Sequence, residues 1–236
     1  MNILAIDASG IAGSAAYIKN GKLAGEYYFC DKLTHSQTIM PMLEHMKTLI
    51  NLKFEEVDAV AVTSGPGSFT GLRIGVTAAK TLALALNVPI IGVPTLDVIA
   101  GGICFTEHFI CPIMDARRNQ VYTAVYQHKD GQLERLTEHC AADINEHLEK
   151  LNEYDGQIIF MGDGVNVYKE VIQEKLGNKA LFAPSFCNLQ HASVLADRAE
   201  KLFVEGKGED PSTFVPMYLR KSQAEREKEE REKNGR

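Results

Sequence analysis

Residues 3–25 read ILAIDASGIAGSAAYIKNGKLAG, and residues 111–134 read CPIMDARRNQVYTAVYQHKDGQLE. Setting Asp7 on Asp115 matches the two segments without a gap as far as Ile18 and Tyr126. The turns Asn20-Gly21 and Asp130-Gly131 then coincide after a two-residue insertion. Each copy opens with a short apolar run ending in an acid. Each then runs through strand-like residues into an Asn-Gly or Asp-Gly pair, the strongest short-range hairpin signal. Further on, VAVTSGPG at 60–67 has a counterpart in IIFMGDG at 158–164. Each half therefore reads as three strands, a helix, a strand and a helix, and the shared order makes the chain a duplication.

Two such α/β halves are the plan of the actin and sugar-kinase group, ribonuclease H-like lobes that clamp ATP between them. The expected fold is a duplicated actin-like ATPase. Residues 1–105 form its first lobe and 106–190 a second, degenerate one. A helix at about 191–205 packs back on the first lobe, and 206–236 form a C-terminal extension. Within the first lobe, Ile39, Met42, Leu43, Met46, Leu49 and Ile50 recur at helical spacing and predict a helix over 36–50. Ser36 or Thr38 can cap it; Thr38 suits better, because it leaves Pro41 in the first turn. Residues 57–63 read as a buried strand, 70–87 as a helix, 89–93 as a strand, and Thr95–Ala100 as a helix. Residues 221–236, KSQAEREKEEREKNGR, carry almost nothing apolar and cannot build a core.

Hydrophobic residues make up 45% of the 236 and the net charge is −6, an ordinary balance for a globular protein. The acidic balance disfavours a broad RNA-gripping surface, which needs clustered Lys and Arg. No run approaches the ~18 apolar residues of a membrane helix, and the chain begins on a strand with no basic leader. A cytoplasmic protein with no membrane partner is expected. The five cysteines (Cys30, Cys104, Cys111, Cys140, Cys187) are widely spaced, with no C-x-x-C, and read as buried reduced thiols.

Chemistry is most legible in TSGPGSFTGLRIG at 63–75, a buried strand running through a glycine-rich turn into a helix N-terminus. Such a turn presents free N–H groups and a positive dipole end to an anion; equally, it lets another backbone approach closely. Ser68 or Thr70 can cap the helix. Arg73 lies in the first turn, against the dipole, and needs a carboxylate, an anion or a partner to justify it. With Asp7 and Ser9 at the end of the first strand, Gly65, Gly67, Ser68 and Arg73 make a candidate vestigial anion site. The second copy argues for decay. Asp115 is followed by Ala116-Arg117-Arg118-Asn119, where a phosphate-wrapping loop needs small residues. His35 and His45 are too far apart for a helical metal pair, no H-x-x-x-H exists, and His35 reads as a capping or interface histidine. The helices at 36–50 and 70–87 are rich in Met and in small apolar residues that cover more than one stripe, which predicts a face buried by a partner.

The segments ILAIDAS, H-S-x-x-x-x-P at 35–41, GPGSFTGLRIGVTAAKTLA, DARRNQVY at 115–122 and P-x-Y-L-R at 216–220 resemble the TsaB (YeaZ) family over nearly the whole chain. One departure is Ala8, where that family usually has Thr. The resemblance implies a degenerate, non-catalytic paralogue of the catalytic subunit TsaD. With TsaD and the ATPase TsaE it would act in forming threonylcarbamoyladenosine beside the anticodon of tRNAs reading ANN codons. ATP and metal are then expected on the partner subunits and no cofactor bound tightly here; tRNA is reached only through the complex. The chain would pack on TsaD through its two N-terminal helices, with Ile39, Met42, Leu43, Met46, Leu72, Val76, Ala79, Lys80 and Ala83 as candidate interface residues, and homodimerise through the same face when alone. The charged tail would touch the ATPase or help to position tRNA. The rival readings are an active nucleotide-binding ATPase or kinase using Asp7 and the 64–71 loop, and a protease, the family's older label.

Overall fold

The computed structural model describes residues 1–31 and 33–220. The expected charged tail lies outside the described residues. The chain opens with β1 (Asn2–Asp7), β2 (Gly13–Lys19) and β3 (Lys22–Phe29), an antiparallel meander. Then come α1 (His35–Leu49), β4 (Ala59–Gly65), α2 (Phe69–Leu86), β5 (Ile90–Pro94) and α3 (Thr95–Ala100). β4 and β5 add in parallel, giving a sheet of order β3-β2-β1-β4-β5. The second half runs β6 (Phe109–Asp115), β7 (Gln120–Thr123), β8 (Tyr126–Lys129), β9 (Gln132–Arg135), β10 (Cys140–Asp143), α4 (Ile144–Leu151), β11 (Ile158–Met161), α5 (Gly164–Leu176) and β12 (Ala180–Phe182). Its sheet, of order β10-β7-β6-β11-β12 with β8 and β9 branching from β6, repeats the first. The fold is α/β with two lobes of the duplicated actin-like plan.

Strand alternation assigns the faces of the first sheet. Leu4, Ile6, Tyr17, Val60 and Val62 point to one side, where Ile39, Met42, Leu43 and Met46 of α1 and Val76, Ala79 and Ala83 of α2 cover them. Ile3, Ala5, Ala16, Ile18, Ala59 and Ala61 point to the other, where α6 (Ala192–Val204) packs Leu195, Ala196 and Ala199. In the second lobe α4 and α5 cover one face. The other face receives Leu96, Ile99 and Ala100 of α3, which therefore sits between the lobes.

In this arrangement most of the expected interface residues lie inward. Ile39, Met42, Leu43, Met46, Leu72, Val76, Ala79 and Ala83 are all buried in the monomer's own core, so their side chains are not exposed on its surface. Both helices are apolar beyond one stripe because each must cover a sheet and its neighbour helix at once. Lys80 is also committed: its Nζ donates to the carbonyls of Phe214 at 2.8 Å and Ser212 at 3.2 Å. The outward faces carry Met40 and Leu84, each more than half exposed.

α1 starts at His35 after an N-cap at Thr34, four residues before the expected cap at Thr38. Gln37 decides the boundary, because its Oε1 accepts both the Thr34 N–H at 3.2 Å and the Thr34 hydroxyl at 2.9 Å. Pro41 consequently lies inside the helix. α2 is capped by Ser68, whose Oγ accepts the Gly71 N–H at 3.2 Å. By length and composition α2 could cross a bilayer, contrary to the expectation that no segment could; here its buried side lies on the sheet. All five cysteines are free, but Cys111 alone is buried while Cys30, Cys104 and Cys140 are exposed.

The repeat is real but its register is not gapless. Asp7 faces Ser14 across the first hairpin, whereas Asp115 faces Val121 across the second, so the second turn is one residue shorter. Arg117, Arg118 and Asn119, all with φ between 54° and 62°, close it tightly. The two hairpin tips do correspond, with Asn20 and Gly21 at φ 52° and 72° and Asp130 and Gly131 at 51° and 76°.

Candidate functional site

The elements meet at a cleft of about 580 Å³ between the lobes. Ser9–Ile11 and Pro66–Thr70 line it from the first lobe, and Met114–Arg117, Tyr122 and Asp163 from the second; Met217–Arg220 of the extension complete it. This is where the duplicated plan would hold a nucleotide, so the state of its two phosphate turns decides what it can do.

The first turn follows β1. Asp7 is fully buried, and its Oδ1 accepts the hydroxyls of Ser9 and Thr63, each at 2.6 Å, and the Ser9 N–H at 3.2 Å. Burial raises its pKa, while these bonds oppose the rise. Gln190 Nε2 donates to Ser9 Oγ at 3.4 Å from behind. Asp7 Oδ2 is enclosed without a hydrogen-bond partner. Among the described residues, however, no group of three or more His, Cys, Asp or Glu could share a metal ion.

Above this turn lies the glycine-rich loop, and the contact is backbone on backbone. The Ser68 N–H donates to the Ser9 carbonyl at 2.7 Å. A Cβ on Gly67 would overlap that same carbonyl oxygen, and one on Gly71 the carbonyl oxygen of Ala8. These glycines are required by the approach of the β1–β2 turn to the N-terminus of α2. Gly65, at φ 118°, has its open side filled by the Met217 carbonyl. Within the expected anion site the Ser68 N–H is thus taken by the protein's own main chain, and Gly65 is covered by Met217, while Ser9, Gly67 and Ser68 still line the cleft. Arg73 does not join it: its guanidinium stacks on the Phe69 ring, 4.0 Å from the centroid, and Phe69 in turn packs on Tyr218 at 5.1 Å. α2 starts at Phe69, so Arg73 lies just past its first turn, where it is held by this cation–π contact.

The second turn is different again. Asp115 Oδ1 accepts the Arg117 N–H at 2.9 Å and the Tyr168 hydroxyl at 3.2 Å. Asp163 Oδ1 accepts the Asp115 N–H at 3.1 Å, and burial holds the Asp163 carboxyl above its usual range. The left-handed run at 117–119 leaves bulky side chains where a phosphate would need bare backbone. His35 reaches the same region from α1, its Nε2 lying 2.9 Å from the Gly10 carbonyl; it fastens the β1–β2 turn to the helix.

The structure therefore brings Asp7, Ser9, Gly65, Gly67 and Ser68 together and leaves Arg73 outside. Sequence reasoning missed Gln190, Tyr122, Asp163 and the whole contribution of 217–220. A signal for the last existed in the P-x-Y-L-R motif at 216–220, which carried no position until the fold placed it.

Comparison with known proteins identifies the family. A family model described as "TsaD: tRNA N6-adenosine threonylcarbamoyltransferase" matches residues 32–228. The tRNA threonylcarbamoyladenosine biosynthesis protein TsaB of Bacillus subtilis is 35% identical over 225 residues, 95% of this chain and 96% of that protein. TsaB of Escherichia coli is 31% identical over 95% of this chain and 96% of its own length. The solved structure of YeaZ from Pseudomonas aeruginosa superposes with a TM-score of 0.77 at 26% identity, covering 92% of this chain and 99% of that one. With similarity running nearly end to end in both sequence and fold, the chain belongs to the TsaB (YeaZ) family of threonylcarbamoyladenosine biosynthesis proteins.

Proposed function

We propose that this chain is a non-catalytic partner that activates a TsaD catalytic subunit in forming threonylcarbamoyladenosine beside the anticodon of tRNAs reading ANN codons. TsaE supplies ATPase activity, and tRNA is contacted only through the assembled complex in the cytoplasm. The observation that carries the reading is the main-chain seal between Ser9 and Ser68. It ties the first phosphate turn to the glycine-rich loop, while the second turn is built from Arg117, Arg118 and Asn119. A cleft so arranged favours a scaffold over an ATPase or kinase. The family names of the relatives and of the matching model support the pathway.

The docking surface in this reading is the outward side of the α1–α2 layer, not its core side. The same surface would pair two copies when the chain is alone. The test is tRNA modification by purified TsaD and TsaE with threonylcarbamoyl-adenylate, with and without this chain. Dependence on the chain, and no modification by the chain alone, is the expected result. Met40→Glu with Leu84→Glu should remove both association and activation while the thermal midpoint stays put. Unchanged modification when the chain is omitted would end the proposal.

A further inference from the structure

We propose that residues 217–220 are a built-in crossbar, standing between the lobes in the place of a clamped ligand and fixing the angle between them. The segment after α6 is anchored step by step along the first lobe. Glu209 bridges to Ile90 on the edge of β5, with reciprocal N–H to carbonyl bonds of 2.9 and 3.1 Å. Phe214 sinks into the core over Gly92, where a Cβ would meet its ring at 2.6 Å. Lys80 holds the carbonyls on either side of Thr213. The Met217 N–H then donates to the Ser64 carbonyl at 2.7 Å, and Tyr218 packs as a tilted ring pair on Phe69 at the mouth of α2. The chain next crosses the cleft, and Arg220 Nη1 donates to the Ala116 carbonyl at 3.1 Å in the second lobe.

Two features show that the groove is shaped for this occupant. Gly65 lacks a side chain where Met217 lies and Gly92 where Phe214 anchors the approach, and a Cβ on either would overlap that residue. Gly65 also takes a left-handed conformation that an L side chain resists. Two lobes joined by few strands swing about their connection unless something spans them. Here α3 fills the hinge side, and the segment 217–220 spans the open side. The angle is thus held by the chain's own contacts, ending in the Arg220–Ala116 hydrogen bond, without a bound small molecule. This inference stands on the geometry of the segment and does not depend on the tRNA-modification reading.

The test uses spin labels on Thr81→Cys in α2 and Asn166→Cys in α5, with Cys30, Cys104, Cys140 and Cys187 changed to Ser. Interlobe distance distributions are measured for the full chain, a chain ending at Arg220 and a chain ending at Pro216. The two longer chains should give the same narrow distribution. The chain ending at Pro216, which keeps the Phe214 anchor, should give one that is shifted and roughly twofold wider. If circular dichroism shows that this chain does not fold, the full chain carrying Tyr218→Ala and Arg220→Ala takes its place, with the same expectation. A distribution that matches the full chain in whichever variant is folded overturns the crossbar.

Discussion

Gly71→Ala separates the two readings of the glycine-rich loop. If the loop were kept bare for an anion, alanine would be welcome in the folded protein. A helical Gly→Ala change gains up to about 1 kcal/mol from backbone entropy alone. The structure predicts the opposite sign. The new Cβ would overlap the Ala8 carbonyl oxygen, and relief requires the β1–β2 turn to move by about 1 Å, an overpacking cost of about 1–3 kcal/mol. That turn carries the Ser9 carbonyl bonded to the Ser68 N–H and the buried Ser9–Asp7–Thr63 bonds. Weakening one of them adds about 1 kcal/mol. With the entropy gain subtracted, the net loss is about 1–3 kcal/mol, and the thermal midpoint should fall by roughly 2–4 °C for each kcal/mol. Gly75→Ala is the internal control. Its Cβ would meet the Ala8 Cβ at 3.2 Å, tight but not overlapping, so gain and cost offset and the midpoint should barely move. Paired calorimetric scans read both changes. A Gly71→Ala protein as stable as Gly75→Ala, or more so, would refute the account of the seal.

Phe214→Ala empties a core position and should cost about 3–5 kcal/mol, seen as an early urea midpoint; a loss below about 1 kcal/mol would show that the extension is only loosely docked. His147 is buried with Nε2 3.2 Å from the Thr123 hydroxyl and 3.4 Å from the Cys111 thiol. Burial, with some help from Lys150, pulls its pKa from 6.5 down to about 4, and the thiol is pushed up to about 12. The folded protein thus resists a proton that the unfolded chain accepts. Stability should be full above pH 6.5 and fall as pH drops towards 4, by about 3 kcal/mol. His147→Gln should flatten that slope in urea titrations, and an unchanged slope would remove His147 as its source.

What was legible in the sequence was whatever local chemistry dictates. The Asn20-Gly21 and Asp130-Gly131 tips and the span of α3 follow from turn residues and periodicity and fall where expected, and the apolar runs of β1 and β4 are buried strands, β4 lying two residues later than the expected 57–63. The α1 cap was misplaced because Pro41 pulled the reading towards Thr38, while Gln37 fixed the start at Thr34. That the expected interface residues lie in the monomer's own core was not legible, for a more general reason. Periodicity identifies an apolar face but does not say what covers it, and Met42 and Val76 met their own sheet first. The candidate site was half visible. Asp7, Ser9 and the glycines were marked by residue type, but their closure by Ser68 and Met217 depends on contacts across 59 and 153 positions of chain respectively, from Ser9 to Ser68 and from Ser64 to Met217. Nothing local encodes such pairings.

The path of the chain also constrains the order of assembly. The first lobe is the first to leave the ribosome, yet one face of its sheet is covered by α6 and the other holds Phe214. Both are synthesised after the whole of the second lobe. The second lobe draws most of its core from a contiguous stretch, Cys111 to Ala180, so its loops are short and cheap to close. The half that is made first must therefore wait with β1 and β4 part-covered, while the half made later can settle at once. During synthesis the exposed surface at risk of aggregation lies on the older half of the molecule.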